Sequence, residues 1–268
     1  DEGAITILPN IKYKAAMKVG AFTNLVRSAD CDFDATTSGM TLTEKVLTPT
    51  ELQVNLQICK KELHADWEAA QMGFSAFDNL PPLFSDFVIA RVGAEIAQAT
   101  ETSIWGGAAG EGNFDGLKPL LQADATVVDV TGTSVDASNV IAELNKIITA
   151  IPSGVYGSDD LVLYVSTAIA KAYIQAQAAL GYRELYNVGQ TEMNFQGIPM
   201  FVTSGLNTNN AVAARKSNLF FGTGILDDRN EIKVIDMADI DGSQNVRFVA
   251  RYTAGVQVGV GADVVLYS

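Results

Sequence analysis

Apolar and polar residues alternate strictly in two stretches near the start of the chain. The first is Thr41–Val46, and the second is Glu51–Ile58, where leucine, valine and isoleucine alternate with glutamine and asparagine. Successive side chains of a strand point to opposite faces, so this period of two predicts two β-strands. Thr48-Pro49-Thr50, between them, has the composition of a turn. The pattern predicts a long β-hairpin within residues 31–60.

One face of the second predicted strand is entirely apolar. It consists of Leu52, Val54, Leu56 and Ile58. An isolated two-stranded hairpin is only marginally stable in water, and no further strand adjoins this one in sequence. The apolar face therefore needs a partner surface. That surface belongs either to the hairpin's own domain or to a neighbouring subunit, and the pattern alone leaves both open.

From Leu83 to about Trp105 the apolar residues recur every three or four positions, which predicts one helix on the order of 30 Å long. Its apolar stripe comprises Phe84, Phe87, Val88, Val92, Ile96, Ala99 and Ser103. The glycine-rich segment Gly106–Gly112 follows this helix, whereas a dinucleotide-binding loop follows a strand and opens a helix. We therefore predict a chain reversal that needs glycine conformations, and not a phosphate-binding loop.

The remainder of the chain divides into two patterns. Ala125–Leu180 alternates strand-like and helix-like segments, and from Tyr182 onward the pattern is mostly strand. The first of these patterns has the texture of an α/β segment, and the second is a β-rich return to the end of the chain.

Composition narrows the classes of function. With 268 residues, of which 48% are hydrophobic, the chain is able to bury a substantial core. Its net charge of −13 argues against a free-standing nucleic-acid-binding protein, although not against a protein that encloses nucleic acid. No apolar run reaches the roughly 20 residues that span a bilayer, so we expect no membrane partner. Cys31 and Cys59 are too few for a disulfide framework or a zinc site, and their pairing is left open.

Few residues offer catalytic or ligand-binding chemistry. His64 is the only histidine, so one chain lacks the parts of a Ser-His-Asp, Cys-His or multi-histidine site. Asp236–Gly242 has the spacing of a weak calcium loop, but Met237 occupies the position of the first ligand, which favours an ordinary acidic turn. Asp159-Asp160 and Asp227-Asp228 have the composition of turns and caps. We predict no catalytic residue, no cofactor, no metal site and no enzyme activity.

Six short motifs occur along the chain in a familiar order. They are Val54–Ile58 with Lys60–Asp66 before the long helix, Ala94–Gly107 at its end, Gly112–Leu117 after it, Phe195–Val202, Asn218–Gly222, and Val246–Leu266. In this order they resemble the major capsid proteins of tailed bacteriophages, which share the HK97-like fold. The resemblance covers most of the chain.

The resemblance implies an α+β, HK97-like capsid fold with an N-terminal arm, an extended β-hairpin loop, a peripheral domain with a long spine helix, and an axial α/β domain. The implied boundaries are 1–30 for the arm, 31–60 for the extended loop, 61–124 and 236–268 for the peripheral domain, and 125–235 for the axial domain. In this family the extended loop reaches over a neighbour. The predicted inter-subunit contact residues are therefore Leu52, Val54, Leu56 and Ile58.

The resemblance also implies a function. It predicts a structural head protein that assembles as hexamers and pentamers into an icosahedral shell around double-stranded phage DNA. The predicted partners are further copies of the chain, the enclosed DNA, a portal, and decoration or scaffold proteins. The predicted location is the virion capsid, assembled in the bacterial host cytoplasm. Because the chain begins at Asp1, N-terminal proteolytic maturation is expected as well.

Two other interpretations stay open. An encapsulin-like nanocompartment shell would share the fold and enclose cargo enzymes instead of a genome. A soluble α/β enzyme or ligand-binding protein would instead use residues 125–235 as its site, and it would remain a monomer or a small oligomer.

Overall fold

The structure is a computed structural model that describes residues 3–11, 13–22, 26, 28–29, 31, 40–63, 82–110, 112–179, 193–224 and 232–268. Its strands are β1 (Thr6–Leu8), β2 (Ala15–Phe22), β3 (Met40–Leu47), β4 (Thr50–Cys59), β5 (Val128–Val130), β6 (Leu161–Ser166), β7 (Met193–Phe195), β8 (Ile198–Thr203), β9 (Ala211–Arg215), β10 (Leu219–Thr223), β11 (Ile232–Asp236), β12 (Asn245–Val258) and β13 (Val265–Tyr267). Its α-helices are α1 (Lys60–Leu63), α2 (Pro82–Gly106), α3 (Leu117–Ala123), α4 (Val140–Ala150), α5 (Thr167–Ala179) and α6 (Ala238–Asp241). No described helix is long and apolar enough to cross a membrane.

A five-stranded sheet is organised around the long strand β12. The strand β4 pairs antiparallel with one edge of β12 over ten positions, from Thr50 opposite Ala254 to Cys59 opposite Asn245. The other edge of β12 pairs with β11 and then with β10, and β1 adds a parallel strand beyond β10. The N-terminal residues are thereby part of this sheet, and Ile5 and Ile7 pack against its core.

A six-stranded sheet has the order β5-β13-β9-β6-β8-β7. Its strand β6 is buried at every position, which is the pattern expected for a strand covered on both faces. Residues of α4 and α5 pack with this sheet in the largest apolar cluster of the described chain. Gln196 and Gly197, both with positive φ, form the tight turn between β7 and β8, a geometry that suits a two-residue hairpin.

The predicted long helix is confirmed as α2, 25 residues in length, or about 37 Å at ~1.5 Å per residue. It is held at both ends. Val88 packs with Val246 and Phe248 of β12. Ile104 and Trp105 belong to an apolar cluster that contains residues of both sheets. The predicted stripe is wrong in places, since Phe87 is 52% exposed and Ala99 is exposed.

The predicted hairpin between the strands at 41–46 and 51–58 is wrong. The strand β3 pairs with β2, and β4 pairs with β12, so the chain changes sheets at Thr48-Pro49. Alternation fixes which face of a strand is apolar and does not identify its partner. The apolar face of β4 has its match on β12, where Leu56 lies opposite Phe248.

Some strands pair in a different sheet from the other strands of their predicted domain. The strands β10 and β11, predicted within the axial segment 125–235, belong to the five-stranded sheet. The strand β13, predicted with the peripheral return 236–268, pairs with β5 and β9 of the six-stranded sheet. The predicted arm 1–30 contributes β1 and β2 to two different sheets. The division into domains itself stays a prediction.

Candidate functional site

The four residues predicted to contact another subunit lie on the face of β4 that is turned towards α2. Leu52 is 8% exposed and belongs to the core, and Ile58 packs against the cluster of Val88, Val246 and Phe248. Val54 is half-buried, and Leu56 is 37% exposed. Of the two partner surfaces that the sequence left open, Leu52 and Ile58 therefore use one within their own chain. The inter-subunit role of these residues stays a prediction.

A different hairpin, formed by β2 and β3, projects from the body of the protein. Its base is fixed to the five-stranded sheet. Leu47 is fully buried and packs over Gly222, and Gln257 Nε2 donates a hydrogen bond to Val46 O at 3.0 Å. Lys45 Nζ forms an ion pair with Asp124 Oδ2 at 2.5 Å. These contacts fix where the hairpin leaves the body.

The distal half of the hairpin carries exposed apolar side chains. Phe22 is 55% exposed and Leu42 is 61% exposed. Gly20 lies opposite Leu42 in the register, so Phe22 and Leu42 occupy the same face. Large apolar side chains exposed on a projecting element are characteristic of an interaction surface, which makes this hairpin the candidate functional site.

The ion pair between Lys45 and Asp124 anchors the hairpin, and its contribution to stability depends on pH. Hydrogen bonds from Lys45 and from the Thr126 hydroxyl lower the pKa of Asp124 from 3.8 to about 2. A carboxyl group whose pKa is lowered by folding stabilises the protein above its unfolded pKa, and this contribution is lost as the pH falls through the folded pKa. The stabilisation from the Lys45–Asp124 ion pair is therefore complete above about pH 5 and is lost between about pH 4 and 2.

We expect Asp124→Asn to lower the thermal unfolding midpoint at pH 6, because it removes the charge that pairs with Lys45. The difference between wild type and variant should shrink as the pH falls from 5 to 2, measured by circular dichroism. Asp129→Asn, at an exposed carboxylate on β5, is the matched control. A difference that stays constant with pH would contradict the proposed anchor.

In the glycine-rich segment after α2, the backbone around Gly107 and the backbone around Gly116 lie in close contact. Gly116 N donates to Gly107 O at 2.8 Å, and Ser103 Oγ donates to Asn113 Oδ1 at 3.0 Å. An added Cβ at Gly107 would lie 2.4 Å from Phe114 O, and one at Gly116 would lie 2.5 Å from Ser103 O. These glycines are required for close approach. The predicted need for a glycine conformation applies only to Gly112, with φ of +79°.

A cavity of about 450 Å³ lies between the middle of α2 and the strands β10 and β12. Its walls include Ile96, Phe221 and Glu101. Burial raises the pKa of Glu101 more than its hydrogen bonds from Trp105 and the Gly205 backbone lower it. Trp105 Nε1 donates to Glu101 Oε1 at 3.1 Å. This arrangement ties α2 to the loop after β8, and one carboxyl group among apolar walls does not make a catalytic set.

The acidic motifs mostly have structural partners. Asp236 Oδ2 accepts a hydrogen bond from Lys60 Nζ at 2.5 Å, its Oδ1 accepts from Ala238 N at 3.0 Å, and Gly242 ends α6 with φ of +72°. Asp160 Oδ2 accepts from the Ser217 hydroxyl at 2.5 Å. Among the residues that the structure describes, no cluster of histidine, cysteine, aspartate and glutamate is suited to a metal ion. His64 and Asp227-Asp228 lie outside the described residues.

Sequence reasoning missed the strand β2 and therefore the true hairpin. Ala15–Phe22 mixes lysine, alanine and glycine with only weak alternation, and 17 residues separate it from β3. No local signal identified this hairpin, because the shared face of Phe22 and Leu42 is recognisable only once the register is known.

Comparisons with known proteins identify the fold. No protein-family model matches the sequence, and no curated protein is significantly similar to it. Among solved structures, a subunit from the capsid of a native GTA particle matches with a TM-score of 0.69 and 13% identity, over 98% of this chain and 87% of that chain.

Two further structures match over nearly the whole chain. A chain of Mycobacterium phage Che8 has a TM-score of 0.58 and 12% identity, over 96% of this chain and 85% of that one. A chain of the virus-like particle from Pyrococcus furiosus has a TM-score of 0.55 and 11% identity, over 99% and 90%. The protein therefore has the mixed α+β fold of phage capsid proteins, and the resemblance inferred from sequence is confirmed at the level of the fold.

Proposed function

We propose that this protein is the major capsid protein of a phage head, a structural subunit that assembles with copies of itself into a closed icosahedral shell of hexamers and pentamers. The observation that carries the proposal is the match to a GTA capsid subunit over 98% of this chain and 87% of that chain. In this proposal the six-stranded sheet with α4 and α5 is the axial domain. The five-stranded sheet with α2 is the peripheral domain with its spine helix.

The hairpin β2–β3 is the proposed contact between subunits. A closed shell repeats the same contacts between identical copies. Two features of the hairpin support this role. Its base is anchored by Leu47 and Lys45, and Phe22 and Leu42 remain exposed at its distal half. Additional contacts through Val54 and Leu56, which keep partial exposure, stay a prediction.

Double-stranded DNA is the proposed content of the shell. The net charge of −13 favours enclosure without tight adhesion, because an acidic protein repels a polyanion over most of its surface. A portal and scaffold or decoration proteins would be the further partners, and the virion capsid would be the location. Assembly in the host cytoplasm and N-terminal processing stay predictions.

Negative-stain electron microscopy of the purified protein, combined with the ratio of absorbance at 260 and 280 nm, tests this proposal. We expect uniform icosahedral particles, with nucleic acid in those isolated from infected or induced cells. Shells that hold protein in place of DNA would favour the nanocompartment alternative. A species no larger than a dimer of the 28.5 kDa chain, under conditions that permit assembly, would contradict the proposal.

A further inference from the structure

The cavity between α2 and the strands β10 and β12 has the size and lining of a small-molecule site. Its volume is about 450 Å³, within the range of roughly 300–1,000 Å³ that is usual for such sites. Ile89, Ile96 and Ile104 form the apolar wall on α2, and Phe221 forms part of the opposite wall. Small-molecule sites combine apolar walls of this kind with a few polar groups that orient the ligand.

Gly93 keeps this cavity open. An added Cβ at Gly93 would meet no atom within 4 Å, so close packing does not require a glycine there, in contrast to Gly107 and Gly116. A glycine inside a helix is also less favourable than an alanine. The missing side chain of Gly93 leaves space in the cavity wall, and Ala97, one turn further along α2, is exposed to solvent. The cavity is therefore accessible from outside the protein.

Glu101 places one carboxyl group in the wall of the cavity. Its hydrogen-bond donors are Trp105 and the Gly205 backbone, and no ion pair of the described residues includes it. Burial is the largest influence on this carboxyl group and raises its pKa, because the charged form is poorly solvated there. A carboxylate accepts about four hydrogen bonds, so Glu101 is able to bind a further donor. A cation would offset the cost of burying its charge.

The other polar groups of the cavity wall are neutral and already paired. The hydroxyl groups of Thr100 and Tyr252 share a hydrogen bond of 3.3 Å. Thr223 Oγ1 donates to Thr253 O at 3.0 Å, and the Thr253 hydroxyl accepts a backbone hydrogen bond. Of the described residues that line the cavity, Glu101 alone carries a charge at neutral pH. It therefore sets the charge of a preferred ligand.

We propose that this cavity binds a small amphiphilic amine, which carries one positive charge on an aromatic or aliphatic body. The ammonium group pairs with Glu101, and the apolar body lies along α2 beside Gly93. These two residues are eight positions apart, or about 12 Å along the helix at ~1.5 Å per residue, a length that an arylalkyl amine covers.

A free small molecule is favoured over a segment of a second copy of the chain. A stable contact between proteins covers about 800 Å² on each partner, which is far more than the walls of one cavity of this volume provide. The inference does not depend on the formation of a shell, because each chain carries a complete cavity.

Isothermal titration calorimetry of the purified full chain with phenylbutylamine tests the inference, and phenylbutanol is the neutral probe of the same length. We expect the wild type to bind the amine at least tenfold more tightly than the alcohol. Glu101→Gln retains an acceptor for Trp105 Nε1 and removes the charge. This variant should bind the amine at least tenfold more weakly, and the alcohol less than threefold more weakly.

Filling the cavity provides a second test. Gly93→Leu should weaken the binding of both probes at least tenfold, because the leucine side chain occupies the open space. Ala94→Leu, at an exposed position of α2 that does not line the cavity, is the matched control and should bind both probes as the wild type does. Gly93→Ala is a smaller change that favours the helix, and it should weaken binding less than Gly93→Leu. Circular dichroism measures the fold of each variant.

Three results would overturn the inference. The first is a wild type that binds neither probe, or binds both with equal affinity. The second is unchanged binding by a folded Gly93→Leu variant. The third is a set of variants that bind both probes as the wild type does but form no shells, which would assign the cavity to a contact with a second copy. Absence of shells from the wild-type protein would contradict the proposed function and leave this inference standing.

Discussion

Removing the distal part of the hairpin, Val19–Thr43, will abolish shell formation and leave the subunit folded. Lys18 and Glu44 lie opposite each other in the register, so an Asn-Gly turn is able to join them as a two-residue hairpin connection. The anchoring residues Lys45 and Leu47 are retained. Phe22 and Leu42, among the described residues that are lost, are mostly exposed, so their removal costs little buried surface.

Sedimentation and negative-stain microscopy measure the assembly of this variant, and circular dichroism measures its fold. We expect no shells and a thermal midpoint within a few degrees of wild type. Thr41→Ser, an exposed and conservative change within the intact hairpin, is the control and should assemble normally. Shells formed by the shortened chain at wild-type yield would contradict the role given to the hairpin.

Replacing Gly116 by alanine will destabilise the subunit by about 3 kcal/mol, the upper part of the range for overpacking a core. The added Cβ would lie 2.5 Å from Ser103 O and 2.7 Å from Gly107 N. Both are backbone atoms at the end of α2, so relief requires the helix end and the following loop to separate. That separation would also break the hydrogen bond from Gly116 N to Gly107 O.

Urea denaturation of the isolated subunit measures this change. Gly110→Ala, in the same loop, is the matched control because its added Cβ has no neighbour closer than 3.8 Å. We expect the control to stay within about 0.5 kcal/mol of wild type. Equal denaturation midpoints for the two variants would show that the close backbone contact at Gly116 does not limit stability.

Local pattern predicted the three longest described helices, α2, α4 and α5, and the strands β5 and β6. The period of three to four between Leu83 and Trp105 corresponds to α2, and the alternation of strand and helix after Ala125 corresponds to β5, α4, β6 and α5. Each of these elements is encoded within one window of sequence, because the period reflects which side of the element is buried.

The local pattern could not predict which strands pair with each other. The partner of β4 is β12, almost 200 positions away along the chain, and the partner of β3 is β2, across a 17-residue connection. Alternation indicates which face of a strand is apolar, but it does not identify the strand that pairs with it. For this reason the sequence predicted a hairpin that includes Leu52–Ile58, whereas Leu52 and Ile58 pack in apolar clusters of their own chain.

The reason for the glycines after α2 was also hidden from the sequence. A run of glycines is compatible with left-handed backbone, with flexibility, or with close packing. Only the three-dimensional arrangement reveals that Gly107 and Gly116 face the backbone of each other's segment.

Electron cryo-microscopy of the purified assembly tests the central claim most directly. We expect a closed shell in which this chain forms five-fold and six-fold clusters, with each β2–β3 hairpin lying against a neighbouring subunit. Particles without such clusters, or a protein that remains monomeric or dimeric at concentrations that support assembly, would contradict the account.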